Sequence, residues 1–248
     1  MTIRVKNLSI AFGAAQILSN VNLVLHPSKV TGLIGRSGCG KSTLAKAMTG
    51  IIPVPKNSLF MNGQNFQPQL SKTGHLIHYM WQDPFAALSP FLNALDIICE
   101  PLKAIHKLPR AERLEAAQNL LQMVGLEQHC EKKRPHQLSG GQCQRIALAR
   151  ALAVKPKYLI LDEPLSALDL VTQEKVVSLI RDIRKKLNLG ILIISHDLQT
   201  LAQLADEIVV MDNGEVVEHQ PAKDFFDTPQ HALSKKFVEI SRSTSRSS

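Results

Sequence analysis

The sequence has few of the features of secreted, membrane-spanning or disordered proteins. Its 248 residues include only four cysteines and no CxxC pair, which argues against a disulfide framework and indicates reduced thiols. No run of about 18 uncharged apolar residues occurs, so no membrane span is predicted. The N-terminus alternates like a strand and lacks the apolar core of a secretion signal. We therefore expect a soluble, cytoplasmic protein.

Aromatic residues are also scarce. They make up 4% of the chain, which leaves poor platforms for stacking nucleic-acid bases. Basic residues exceed acidic ones by 29 to 21, but they are dispersed, and we interpret their small clusters as solvated surface. No nucleic-acid partner is expected. A chain of this length can remove about 70–75% of its unfolded surface from water, so it needs no metal or disulfide to fold.

The order of apolar runs and helical segments along the sequence is typical of an α/β protein. Short apolar runs predict strands at 3–5, 10–12, 21–25, 30–34, 59–61, 76–80, 159–161, 191–194 and 208–211. Between them, proline-flanked segments predict helices near 92–106, 110–124 and 141–153. Asn213 and Gly214 predict a type I′ hairpin turn. An α/β core therefore carries a mostly helical insertion.

A phosphate-binding loop follows the predicted strand at 30–34. Residues 35–42, GRSGCGKS, match G-x-x-x-x-G-K-[S/T] and lead into a predicted helix. Glycines let backbone N–H groups approach a phosphate, and the helix N-terminus favours its negative charge. Lys41 is expected to reach the β- and γ-phosphates of a nucleoside triphosphate, and the Ser42 hydroxyl to coordinate Mg²⁺. The expected nucleotide-binding residues of this loop are Gly35, Arg36, Ser37, Gly38, Cys39, Gly40, Lys41, Ser42 and Thr43.

Two acidic residues stand at the end of the apolar strand near 158–161. We expect Asp162 to bind Mg²⁺ through its water shell. We expect Glu163 to lie near the γ-phosphate and to polarise the attacking water. Taken alone, a strand that ends in Asp-Glu is an ordinary exposed turn, and its pairing with the phosphate loop favours the catalytic interpretation.

A second glycine-rich helix start, Leu138-Ser-Gly-Gly-Gln142, precedes an Ala/Leu-rich helix. Ser139 is placed to cap that helix, and bare N–H groups follow it. Together with the phosphate loop and the segment LDEP at 161–164, this element resembles the ATPases of ABC transporters. The resemblance spans residues 1 to about 230. It implies a head-to-tail dimer, in which the signature residues Ser139, Gly140, Gly141 and Gln142 bind the ATP held by the other subunit.

Other positions match the same family in order. By resemblance, Gln82 contacts Mg²⁺ and the attacking water, and His196 contacts the γ-phosphate. Phe12 stands where an aromatic stacks on adenine. The loop expected to cross the dimer interface comprises Ser166, Ala167, Leu168 and Asp169. The implied catalytic set is Lys41, Gln82, Glu163 and His196, and the implied Mg²⁺ set is Ser42, Gln82 and Asp162.

These motifs also predict the domain organisation. We expect one ABC ATPase domain over residues 1–240, with a P-loop NTPase core of mostly parallel sheet and helices. The core, with an N-terminal antiparallel β subdomain, covers 1–82 and 155–225. The inserted helical subdomain covers 83–154 and carries the signature. Residues 241–248 are expected to be a disordered polar tail.

The resemblance extends to one branch of the family. The segments QDPFAALSP at 82–90, ICEPL at 98–102 and TPQH at 228–231 resemble the peptide/nickel importers. The implied partners are a paralogous ATPase subunit (or a second copy), two transmembrane permeases and, indirectly, an extracytoplasmic solute-binding protein. The expected location is the cytoplasmic face of the membrane. Nickel, a metallophore and peptide remain alternative cargoes. An exporter ATPase, a soluble non-transport ABC ATPase and a non-catalytic subunit remain alternative functions.

Overall fold

The computed structural model describes residues 1–68, 76–166 and 168–244, and these residues form two β-sheets flanked by helices. The strands are β1 (Ile3–Phe12), β2 (Ala15–Leu25), β3 (Val30–Gly35), β4 (Leu59–Met61), β5 (Gln64–Asn65), β6 (Ile77–Met80), β7 (Tyr158–Asp162), β8 (Gly190–Ile194), β9 (Glu207–Asp212) and β10 (Glu215–Pro221). The helices are α1 (Lys41–Met48), α2 (Pro84–Ala87), α3 (Ala94–Ala104), α4 (Arg110–Met123), α5 (Gly140–Ala153), α6 (Leu170–Leu187), α7 (Leu198–Leu204), α8 (Ala222–Asp227) and α9 (Ala232–Thr244).

The smaller sheet is antiparallel, with the strand order β2-β1-β4-β5. Here the predicted boundaries are wrong, because 3–5 and 10–12 belong to one strand and the strand predicted at 21–25 begins at Ala15. The pairing of β1 with β2 is irregular between Val5 and Ala11, and Asn7 within it has a φ of 47°. These irregularities interrupt the apolar alternation, so the sequence shows separate strands where the backbone is continuous.

The larger sheet has the order β10-β9-β3-β8-β7-β6, and only its edge strand β10 runs antiparallel to its neighbour. The carboxyl ends of β3, β6, β7 and β8 therefore lie at one edge of the sheet. Open α/β sheets bind ligands at that edge. The predicted α/β fold with a mostly parallel sheet is confirmed.

Both faces of the larger sheet are buried. In β8, Ile191 and Ile193 pack into the core shared with the helices from α3 to α7. Leu192 and Ile194 pack into a second core, shared with the antiparallel sheet and α1. The same alternation occurs in β7 and β9. Central strands buried on both faces need continuous apolar runs, and this explains the uniform hydrophobicity of 191–194.

The segment 84–153 is mostly helical, with α2, α3, α4 and α5 joined by loops and short turns. Helices α3, α4 and α5 begin and end within two residues of the predicted bounds. Asn93 caps α3 by accepting a hydrogen bond from the Asp96 amide, and Ser139 caps α5 in a capping box with Gln142. The hairpin turn is also confirmed, with φ values of 46° at Asn213 and 82° at Gly214.

The C-terminal part of the chain is more ordered than expected. The Glu218 carboxylate accepts hydrogen bonds from the backbone of Gln230 and His231 and from the Ser234 hydroxyl, which fixes the start of α9 against β10. Since α9 continues to Thr244, the predicted disordered tail is wrong over 241–244. Residues 245–248 lie outside the described residues. Within the described part of the chain, no helix has the length and apolar composition of a membrane span.

Candidate active site

The phosphate loop joins β3 to α1 at the carboxyl edge of the sheet. Its glycines are required by close contacts. A Cβ at Gly35 would lie 2.3 Å from the Met211 carbonyl oxygen, and one at Gly40, where φ is 101°, would lie 2.6 Å from Leu18 Cδ2. Lys41 Nζ donates to the carbonyls of Gly35 and Arg36, each at 2.9 Å. The ammonium group is therefore held across the loop, at the N-terminus of α1.

Asp162 ends β7 with a buried carboxylate that is 5% exposed. Its Oδ2 accepts a hydrogen bond of 2.5 Å from the Tyr79 hydroxyl. Burial, together with the hydrogen bond to Asp162, raises the pKa of Tyr79 far above its usual range, so the phenol remains a donor at physiological pH. Tyr79 thus orients the carboxylate. The sequence did not reveal this role, because it depends on the pairing of β6 with β7 across a long insertion.

Glu163 and His196 form a close pair beside the loop. Glu163 Oε2 lies 2.8 Å from His196 Nδ1, and their side chains are 15% and 74% exposed, respectively. Glu163 has a left-handed φ of 48°, and its amide donates to the Ile194 carbonyl at 2.9 Å. A left-handed conformation is unfavourable for a residue other than glycine and often marks a functional position. The end of β8 thereby holds the carboxylate in place.

These residues line one cavity of about 630 Å³. The predicted site residues on its wall are Phe12, Gly35, Ser37, Gly38, Gly40, Lys41, Ser42, Thr43, Gln82, Asp162, Glu163 and His196. Ile17 and Ile194 also line it and were not predicted. Arg36 and Cys39 belong to the loop but not to the wall, and Cys39 is buried with its sulfur 3.8 Å from Lys41 Nζ. The volume falls within the range of about 300–1,000 Å³ typical of ligand sites.

The oxygen donors of this cavity suit a small divalent cation. Ser42, Gln82 and Asp162, which carry a hydroxyl, an amide and a carboxylate, all line the same space. Mg²⁺ prefers such oxygen ligands and keeps several waters, so few protein groups are needed. The residues present therefore fit Mg²⁺.

The signature element is placed elsewhere. Of Ser139, Gly140, Gly141 and Gln142, none is among the described residues that line the cavity. The start of α5 instead lies against the start of α6, since a Cβ at Gly141 would be 2.5 Å from Thr172 Cγ2. Gln144, which the sequence analysis did not single out, donates from Nε2 to the Pro164 carbonyl at 2.7 Å and connects the signature helix to the segment after Glu163.

The predicted dimer-interface loop leads into α6. Asp169 caps that helix, and hydrogen bonds from the Thr172 hydroxyl and amide hold the pKa of this carboxyl below its usual range. Ser166 donates to the Glu163 carbonyl, and Gln173 donates to the carbonyls of Leu165 and Leu168. Ala167 lies outside the described residues. The loop is thus connected by hydrogen bonds to Glu163.

Comparisons with known proteins identify the family of this chain. Residues 18–166 match the sequence profile of the ABC transporter family. The oligopeptide transport ATP-binding protein OppF of Bacillus subtilis is 36% identical over 91% of this chain and 76% of its own length. The nickel import ATP-binding protein NikE of Shigella boydii is 39% identical over 84% of this chain and 79% of its own.

Solved structures show the same fold. The cbiO1 protein of Clostridium perfringens, part of the ABC transporter complex cbiONQ, is 28% identical with a TM-score of 0.81 and covers 91% of this chain and 90% of its own. The ATP-binding cassette MJ0796, in a dimeric post-hydrolysis state bound to ADP and Pi, is 28% identical with a TM-score of 0.78 and covers 89% of this chain and 98% of its own.

Proposed function

Because this chain belongs to the ABC transporter family and is a nucleotide-binding ATPase of it, we propose that it powers the import of nickel, a metal chelate or peptide. One observation carries the mechanistic part of the proposal. The cavity brings the phosphate loop, Asp162 and Glu163 together, while Ser139 and its neighbours lie outside it. One copy therefore presents two separate phosphate-binding elements, and a second subunit would supply the missing part of each site.

The cavity residues divide the binding of ATP between them. The backbone amides of the loop and the N-terminus of α1 attract the β- and γ-phosphates, and Lys41 exchanges its carbonyl partners for phosphate oxygens. Phe12 offers an exposed ring on which adenine stacks. Bound Mg²⁺ would be held by Ser42, Gln82 and Asp162 and would neutralise phosphate charge.

Glu163 and His196 act on the attacking water and the γ-phosphate. Glu163 accepts a proton from the water, which Gln82 helps to orient. His196 lies beside this carboxylate and turns from it toward the γ-phosphate once nucleotide is bound. The signature of the partner subunit, at the N-terminus of its α5, adds hydrogen-bond donors on the opposite side of the phosphate.

The transport assignment rests on the relatives. An OppF and a NikE protein are each similar to most of this chain. We infer that the ATPase works at the cytoplasmic face of a membrane, with two permease subunits and a second ATPase that is a paralogue or another copy. The cargo would be selected by the permease and a solute-binding protein. The nickel-import relative is 39% identical to this chain and the oligopeptide relative is 36% identical. The transport experiment below therefore includes both classes of cargo.

Mixing two defective variants tests whether the sites are shared. Lys41→Ala removes the phosphate contact of one site, and Ser139→Arg blocks the signature that completes the other. Each variant alone should lose ATP hydrolysis, while Ser139→Arg keeps ATP binding. An equal mixture should recover about a quarter of the native rate, because half of the dimers are mixed and one of their two sites is intact.

For two copies of this chain, a mixture that stays inactive although both variants fold and associate contradicts shared sites. A paralogous pair needs a different comparison, once co-purification from membranes has identified the partner chain. Lys41→Ala then removes the site at the loop of this chain, and Ser139→Arg removes the site at the loop of the partner. Each single variant with the native partner should keep one site, and a chain that carries both changes should keep none, so hydrolysis by that double variant contradicts shared sites. Uptake of labelled nickel, nickel chelate or tetrapeptide into vesicles holding the purified complex identifies the cargo, and ATP-driven efflux would contradict import.

A further inference from the structure

A second cavity lies where the chain enters β7 and β8, whereas the ATP-site residues follow the carboxyl ends of these strands. It has a volume of about 450 Å³ and is bounded by α3, α4, the end of α5 and the end of α6. No residue that lines it lines the ATP cavity. It is therefore a separate space between the helical segment 84–153 and the larger sheet.

Its walls are mainly aliphatic. Leu102 on α3 and Leu120 and Met123 on α4 form one side, and Leu187 and Leu189 at the end of α6 form the other. Leu102 and Leu189 are buried, whereas Leu187 is 40% exposed, so the cavity opens to solvent near the end of α6. An apolar cavity of this kind favours a hydrocarbon chain over a polar ligand.

All the charged side chains among the described residues that line this cavity are positive. Lys155 and Lys157 line it and are exposed, and no Asp or Glu is among the described residues on its wall. Neither lysine takes part in an ion pair within the described part of the chain. The last turn of α6 adds Lys185 and Lys186 just before Leu187, while Arg184 of the same turn is paired with Asp206. A negatively charged headgroup would complement these residues.

We propose that this cavity binds a single-chain amphiphile with a carboxylate headgroup, such as a medium-chain fatty acid. The alkyl chain lies among Leu102, Leu120 and Met123, and the carboxylate lies between Lys155 and Lys157. The bound chain would contact both the helical segment and the end of α6, so it would restrain any movement of one against the other. Binding itself does not depend on the transport function proposed above.

Methyl NMR of the full chain provides a test that needs no disruptive variant. The chain contains six methionines, of which only Met123 lines this cavity. With methyl-labelled methionine, assigned by Met123→Leu, decanoate below its micelle concentration should shift the Met123 signal in a saturable way. Decyl glucoside and decyltrimethylammonium, which have the same tail without negative charge, should shift it at least several-fold less. Equal responses to all three would overturn the carboxylate assignment.

Variants then test each part of the cavity by calorimetric titration with decanoate. Leu120→Trp fills the space and should abolish binding, and Ala116→Phe serves the same purpose if the first variant fails to fold. Lys155→Glu with Lys157→Glu should weaken binding by about tenfold, as expected for two exposed charge interactions. Lys223→Glu, an exposed change of the same charge on α8, should leave binding unchanged.

Two results would overturn the proposal. One is unchanged decanoate binding in folded Leu120→Trp and Ala116→Phe. The other is a Met123 shift with phosphatidylglycerol vesicles and none with decanoate, which would assign this surface to a membrane lipid instead.

Discussion

At the scale of single residues, Glu163 combines three unusual features. Its backbone is left-handed, its carboxylate is largely buried, and it lies 2.8 Å from His196 Nδ1. Removing the charge while keeping the shape isolates its role, because glutamine preserves the side-chain length and the contact with the imidazole. The amide of glutamine is unable to accept a proton from water.

We expect Glu163→Gln to bind ATP as the native chain does and to hydrolyse it about 10²–10⁴-fold more slowly. Equilibrium binding of a fluorescent ATP analogue and phosphate release measure the two properties separately. Glu112→Gln, on the exposed first turn of α4, is the matched control and should leave both unchanged. A native rate in Glu163→Gln would contradict the assignment of the general base.

At the scale of secondary-structure elements, the contact between α5 and α6 depends on the missing side chain of Gly141. A Cβ there would lie 2.5 Å from Thr172 Cγ2. At the neighbouring Gly140, the nearest atom to a Cβ is Leu168 Cδ2, at 4.0 Å. Two adjacent glycines of the signature therefore differ in their physical requirement, although the sequence motif presents them alike.

This difference predicts opposite effects of alanine. Gly141→Ala should lower the free energy of unfolding by about 1–3 kcal/mol through overpacking, and Gly140→Ala should leave it unchanged or raise it. Adding Thr172→Ser to Gly141→Ala should restore stability, because serine lacks the clashing methyl but keeps the hydroxyl that bonds Asp169. Urea unfolding measures all four chains. Equal losses of unfolding free energy in Gly140→Ala and Gly141→Ala would show that the close contact with Thr172 does not cause the loss.

At the scale of the whole molecule, much of the fold follows from the sequence. Strand-length apolar runs, capping residues and the Asn-Gly turn predict elements that the structure confirms, because each depends on local chemistry. The irregular pairing of β1 and the extension of α9 to Thr244 were not predicted. The first depends on backbone conformations such as that of Asn7, and the second on the contacts that Glu218 makes with a distant segment.

In the candidate site, too, the features that depend on local sequence could be predicted and those that depend on distant contacts could not. The loop at 35–42 is a local pattern and could be identified directly. The hydrogen bond between Tyr79 and Asp162 joins residues 83 positions apart, and no spacing rule indicates it. The remaining roles were taken from family resemblance. Of those residues, Phe12, Gln82 and His196 line the cavity, whereas the signature residues and the described residues of the predicted interface loop do not. Their individual contributions remain predictions for the variants described above.

The contact between the larger sheet and the helical layer also makes stability depend on pH. Burial, with a contribution from the charge of Arg150 on α5, lowers the pKa of His78 to about 4 from its ordinary 6.5. The folded chain therefore keeps this imidazole neutral, while the unfolded chain binds a proton below pH 6.5. Its contribution to stability is complete above that pH and is lost progressively as the pH falls toward 4.

We expect this histidine to account for a loss of about 1–2 kcal/mol in unfolding free energy between pH 7.5 and pH 5. His78→Gln should lose correspondingly less over the same interval, whatever its stability at pH 7.5. His129→Gln, at an exposed position, is the matched control and should retain the native pH dependence. Parallel pH profiles for the native chain and His78→Gln would exclude His78 as the source.

The two-sided burial of the larger sheet has a consequence for strand alignment. In β8 a shift by one residue would exchange faces that are both apolar, so hydrophobicity alone would not oppose such a slip. Gly190 opposes it, because a Cβ at that position would lie 2.3 Å from Cε1 of the Tyr158 ring. A slipped strand would place Ile191 or Leu189 against this ring. The one glycine of β8 therefore fixes which residues of β8 and of the segment after it, including His196, lie at the edge of the sheet that carries the proposed ATP site.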